Sequence, residues 1–216
     1  MRGEWRPSAE GVIAFCMGKS APKPVPSLDM AILRAEGWIA AALLQAKRIE
    51  AIRAAQQAFR PVVSWTMKDH EAAYKALALP GGCLVEDYDS HFFLFAIRLA
   101  LRWCEIILEA EPSAPDDVRT AARELLASIG HAKPLRDIIE HEDEYLAGGG
   151  KRPGEYTVEA FGMKSSAHSV MMMGTGDRLL GGRFSVNDAI AALRRALPPF
   201  VVAVGHEGEP PTFLDA

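Results

Sequence analysis

The densest group of chemically useful side chains lies in Leu135-Arg136-Asp137-Ile138-Ile139-Glu140-His141-Glu142-Asp143-Glu144-Tyr145-Leu146, where four residues separate Arg136 from His141. On a helix Asp137 and His141 are neighbours, so the carboxylate can fix the imidazole tautomer and raise its basicity. Arg136, near the start of the same helix, has a side chain long enough to swing to that side. A cation for phosphate charge beside a histidine for proton transfer is a minimal set for RNA cleavage. The chain holds 16 Arg and 6 His, so about one such pair at a usable spacing arises by chance. The weight therefore rests on the Asp that follows the Arg, on the helix and on the flanking acids. The plain alternative is a solvated helix face on which Arg136 pairs with Glu140 and His141 is a surface residue.

Other groups are weaker candidates. Arg98, Arg102, Glu105 and Glu109 form the polar stripe of an otherwise apolar segment. Either it is a solvent edge laced by an Arg102–Glu105 pair, or Arg98 and Arg102 add positive charge near His141. Lys151 and Arg152 follow three glycines and could contact phosphate. Glu86-Asp87-Tyr88-Asp89-Ser90-His91 offers carboxylates and an imidazole, but it precedes a helix, where acids suit the positive dipole end and act as caps. The acids around His141 fall on several helical faces, so no metal site is expected, and no cofactor. Gly174-Thr175-Gly176 and Gly181-Gly182 read as hairpin turns rather than a dinucleotide fingerprint. The run Met171 to Met173 reads as strand core. No G-x-S-x-G, H-E-x-x-H or P-loop occurs.

The elements that must position these residues follow from breakers and periodicity. Residues 1–26, with Pro7, Pro22, Pro24 and Pro26, read as an extended arm. Ser27 or Asp29 caps a long helix from Leu28 to Arg60, whose many alanines imply that another helix approaches closely. A short helix is expected over Lys68 to Leu79. A third, from His91 to Glu109, is apolar almost all round and belongs in the middle of a core. Asp116 to Ser128 reads as a fourth and Pro134 to about Leu146 as a fifth. After Gly148-Gly149-Gly150 come short strands, Tyr156 to Phe161, Ser169 to Met173 and Arg183 to Ser185, as a small meander. Ser185 then caps a last helix, Val186 to Leu197, stopped by Pro198-Pro199. The architecture is mainly α: about five bundled helices in 27–147, a small antiparallel β-meander with a closing helix in 155–204, and a frayed tail in 205–216.

Composition bounds the function classes. Of 216 residues 49% are apolar and 24% charged, with a net charge of −4; this is globular composition, with one core burying roughly 70% of the unfolded chain's surface. Mild acidity disfavours a non-specific duplex-binding face, which needs clustered bases. Cys16, Cys83 and Cys104 are odd in number and far apart, as in a reducing compartment. No signal peptide or membrane span is visible, which reads as a cytoplasmic protein.

The segment Leu135 to Leu146 resembles the HEPN superfamily (higher eukaryotes and prokaryotes nucleotide-binding domains). Its motif is an Arg, a polar residue, then a His after four to six positions, on a late helix of an all-α bundle. The flank is similar to a small bacterial branch in which Arg-Asn/Asp, Glu-His and Asp-Glu recur in that order. The resemblance covers roughly residues 28–150. It implies a HEPN-like bundle and a metal-independent endoribonuclease that pairs two motifs across a homodimer. Arg136 would then bind the scissile phosphate, and His141 would act as acid and base while a ribose 2′-hydroxyl attacks. Asp137 stands where Asn is more frequent, adding negative charge beside that phosphate. The alternatives are a catalytically silent RNA- or nucleotide-binding module on the same fold, and an interaction protein whose long helix mediates assembly.

Overall fold

The computed structural model describes residues 26–58, 84–110, 113–141, 144–145, 147, 149–151, 153–160, 163–167, 170–172 and 177–205. Most of the expected arm, the helix expected over Lys68 to Leu79, Arg152 and the tail from residue 206 lie outside the described residues.

Six helices and five strands are described: α1 (Leu28–Ala58), α2 (Leu84–Glu109), α3 (Asp116–Ile129), α4 (Ala132–Glu140), the single-turn α5 (Pro153–Tyr156), β1 (Thr157–Ala160), β2 (Met163–Ser166), β3 (Val170–Met172), β4 (Arg178–Leu180), β5 (Phe184–Ser185) and α6 (Val186–Ala203). The protein is mainly helical, with small antiparallel sheets and a C-terminal helix. β1 pairs with β2, and β3-β4-β5 form a separate meander. Sequence patterning anticipated strands near β1, β3 and β5 but not β2 or β4. Those two are short and pair only with their immediate neighbours.

α1 begins where its cap predicts: Ser27 Oγ accepts the Met30 N–H at 3.3 Å. Its inner stripe, Ala31, Ile32, Ala35, Ile39, Ala42, Leu43, Ala46 and Ile49, is buried. It lies along α2, where Phe93, Ala96, Ile97, Ala100, Leu101, Cys104 and Ile107 are buried. The small side chains on both helices let the backbones come close, as the alanine content implies.

Three boundaries differ from the sequence expectation. α2 starts at Leu84, so Asp89 and Ser90 do not cap it. They sit inside it at 4% and 3% exposure, and Asp89 Oδ1 accepts from Arg48 Nε of α1 at 3.1 Å. α6 does not stop at Pro198-Pro199 but runs to Ala203. The two missing N–H groups would have bonded to the carbonyls of Arg194 and Arg195, both exposed residues. Burial of Phe200 and Val201 in the last turn outweighs that loss. The third difference, the early end of α4, shapes the candidate site.

α6 packs on α1 and α3 and shares one core with the bundle. Its N-terminus is bound tightly: Ser185 Oγ accepts the Asp188 N–H at 3.0 Å and donates to Asp177 Oδ2 at 2.6 Å. The meander in turn presses on α4. The His131 ring lies 5.2 Å from that of Phe184. Gly181, in the β4–β5 turn at φ 58°, passes so close that a Cβ there would stand 2.7 Å from Leu135 Cδ1. Only glycine combines that left-handed backbone with that approach.

Candidate functional site

α4 packs against α2, and between them lies a pocket of about 280 Å³ lined by His91, Phe92, Leu94 and Phe95 of α2 and Arg136, Ile139 and Glu140 of α4. Leu135 and Ile138 anchor α4 in the core at 1% exposure each. The intervening Arg136 is therefore turned to the seam, with its side chain 24% exposed. The guanidinium carbon stands 5.7 Å from the centroid of the Phe95 ring, a cation–π distance. Phe95 is braced from the other side by Trp38 of α1, edge-on at 5.9 Å and 84°.

Arg136 is also the cation of a carboxylate pair. Nη1 lies 3.2 Å from Asp137 Oδ1, and Nη2 pairs with Glu140 one turn on. Its Nε is buried without a hydrogen-bond partner among the described residues. The arrangement contains the Arg136–Glu140 pair of a solvated helix face, but on the rim of a pocket rather than on open surface. Both carboxylates are exposed enough that each pair is worth about 0–1 kcal/mol. An anion entering the pocket can displace them.

His141 does not continue the helix. Its backbone (φ −111°, ψ 30°) leaves helical geometry and its N–H turns to the Ile139 carbonyl, while its own carbonyl accepts the N–H groups of Glu144 and Tyr145, at 3.1 and 3.3 Å, in a separate turn. The Asp137–His141 contact that a helix to Leu146 would have given is therefore not formed. Asp137 turns to Arg136. His141, with its side chain 58% exposed, places Nδ1 3.3 Å from Glu144 Oε1.

Compared with known proteins, this chain matches no family model, no curated protein and no solved structure.

The remaining candidates scatter. Arg98 lies on α2 beyond Phe95, outside the pocket lining, with Nη1 buried and without a hydrogen-bond partner among the described residues. Arg102 is exposed and reaches Glu105 at 3.7 Å, and Glu105 also takes Lys133 of α4. That pattern is the solvent edge. Lys151 is exposed just after Gly150, whose φ of 87° lets the chain pass over the Tyr145 ring. Tyr145 stacks on Tyr156 at 5.4 Å, so the loop bearing Lys151 is held by aromatic contact.

His91, Phe92 and Phe95 had no place in the sequence-derived site. A signal existed: extending the stripe Arg102–Arg98 backwards by helical steps reaches Phe95 and His91. Among the described residues no three His, Cys, Asp or Glu side chains gather as a metal site, and no helix is long and apolar enough to cross a membrane.

Proposed function

We propose that the protein is a HEPN-like module that binds a nucleotide or a single-stranded RNA segment in the α2–α4 pocket. The observation that carries this reading is the Arg136 guanidinium held over the Phe95 ring on the pocket rim. Exposed Phe92 and Phe95 give a base a stacking surface, a contact worth about 1–3 kcal/mol per base. Arg136, once its carboxylates are displaced, offers paired donors to a phosphate. The test is fluorescence anisotropy with a labelled oligoribonucleotide. Wild type binds with affinity that falls as salt rises, and Arg136→Ala and Phe92→Ala each weaken it about tenfold. Equal affinity in all three chains, or none in wild type, refutes the reading.

A second reading, a metal-independent endoribonuclease with Arg136 and His141 at a homodimer interface, draws on one feature. Glu144 Oε1 lies 3.3 Å from Nδ1 of the half-exposed His141 ring, a carboxylate partner of the kind expected of Asp137. Cleavage of RNA in EDTA with cyclic-phosphate ends, abolished in His141→Ala, would establish it. Binding without such cleavage leaves the module reading alone.

A further inference from the structure

The exposed rings of α2 continue past the pocket. Tyr88, Phe92 and Phe95 follow one another in steps of four and three, so they share one face of the helix and span about 10 Å at 1.5 Å per residue. Phe92 and Phe95 line the pocket, and Tyr88 stands one turn beyond it. A second arginine lies at that end. Arg48 of α1 donates from Nε to Oδ1 of Asp89, the residue after Tyr88, at 3.1 Å. The Asp89 side chain is 6% exposed and that of Arg48 52%. Among the described residues neither Nη of Arg48 makes a hydrogen bond. A buried acid thus fixes the arginine by its inner nitrogen and leaves the terminal pair open, the pair that grips a phosphate by two parallel bonds. The contacts Trp38–Phe95 and Arg48–Asp89 run α1 antiparallel along this part of α2. They set Arg48 at the Tyr88 end of the row, while Arg136 lies over Phe95 at the other.

We propose that Arg48 is a second phosphate subsite, and that the ligand is a single strand of RNA rather than a mononucleotide. The strand lies along α2 from Arg136 to Arg48 with its bases on Phe95, Phe92 and Tyr88. This rests on the nucleotide reading of the α2–α4 pocket and narrows it. A mononucleotide with one phosphate engages one arginine and leaves the other, with Tyr88, unused. A strand repeats base and phosphate together, as the row sets rings between two cations. Stacking on rings tolerates any base, so the row measures length rather than sequence. With a net charge of −4 the chain has no general attraction for nucleic acid, and the directed bonds of the two arginines must supply it. Lysine in place of Arg48 keeps the charge but lacks the planar fork.

The test is titration calorimetry of the full chain with AMP, diadenylate and hexaadenylate. Wild type binds hexaadenylate at least about tenfold tighter than AMP. Arg48→Ala would leave Asp89 buried without its cation, so the variants are Arg48→Lys and exposed Tyr88→Ala, with unchanged helical circular dichroism. Each weakens hexaadenylate about tenfold and leaves AMP binding as it was. Equal affinity of wild type for AMP and hexaadenylate overturns the strand while the pocket reading stands. Hexaadenylate affinity that survives Arg48→Lys overturns the subsite, and affinity that survives Tyr88→Ala overturns the row. Binding of neither ligand refutes the pocket reading and this inference with it.

Discussion

The two halves of α2 are made of the same kinds of residue and meet opposite fates. In the C-terminal half Ile97, Ala100, Leu101, Cys104 and Ile107 are fully buried, and at the polar rim Glu105 pairs with both Arg102 and Lys133, while Arg98 Nη1 is buried without a hydrogen-bond partner among the described residues. In the N-terminal half Tyr88, Phe92 and Phe95 are exposed at 57%, 59% and 37%, while polar Asp89 and Ser90 are buried. Asp89 Oδ2 and Ser90 Oγ have no hydrogen-bond partner among the described residues. What separates the halves is which neighbours reach them. α1 and α3 pack on α2, and short α4, tied to Glu105 at its start by Lys133, lines a pocket with His91, Phe92, Leu94 and Phe95 further along. An apolar segment is therefore not a core segment until something covers it. The half whose rings stay exposed on one face, although Phe93, Leu94 and Ala96 are buried on the other, is the half that lines the pocket.

The largest difference should appear at Cys104. Burial, and secondarily Glu105, push this thiol up from 9.0 to about 12, with Lys133 pulling the other way. Its thiolate fraction in the folded chain is then about a thousandfold below that of the unfolded chain near neutral pH. Alkylation of Cys104, followed by peptide mass spectrometry, should be slower in buffer than in urea by at least that factor. Comparable rates would mean that the C-terminal half is not closed. Because the folded state holds this proton more tightly, the stability it contributes is complete below pH 9 and is lost as pH rises towards 12. Urea midpoints across that window check the sign.

Next, Leu101→Ala should cost about 3 kcal/mol in urea unfolding through the cavity it leaves, against no more than about 0.5 for Tyr88→Ala. Equal costs would erase the contrast between the halves. Phe95→Ala sharpens it further. Half-exposed Phe95 should contribute little to stability, but its removal takes away the surface under Arg136 and should weaken oligoribonucleotide binding about tenfold. Smallest of all, Arg102→Ala should shift stability by no more than about 0.5 kcal/mol, since its pair with Glu105 is exposed.

Much of this frame was legible in the sequence. Proline breaks and the caps Ser27 and Ser185 located α1 and the start of α6, and alanine spacing anticipated the close packing of α1 on α2. α4 was drawn too long because Glu140 to Tyr145 is composed of helix-compatible residues. It ends where the His141 backbone leaves helical φ and ψ and its N–H turns to the Ile139 carbonyl, a geometric event without a compositional mark. The same error misplaced the partner of His141, from Asp137 to Glu144. Arg136 was identified as a candidate, but its neighbours His91 and Phe95 were not, because they meet it only through the packing of α4 on α2. α6 was stopped too soon because proline was weighed without the burial of Phe200 that follows it.

Gly181 gives the meander a mechanical role. Its turn is wedged against Leu135 with no room for a methyl group, and Leu135 is the neighbour of Arg136 on α4. The β4–β5 turn thus abuts the helix that carries Arg136. Because α6, which follows the sheets, shares its core with α1 and α3, cutting the chain at its glycine run would expose that core.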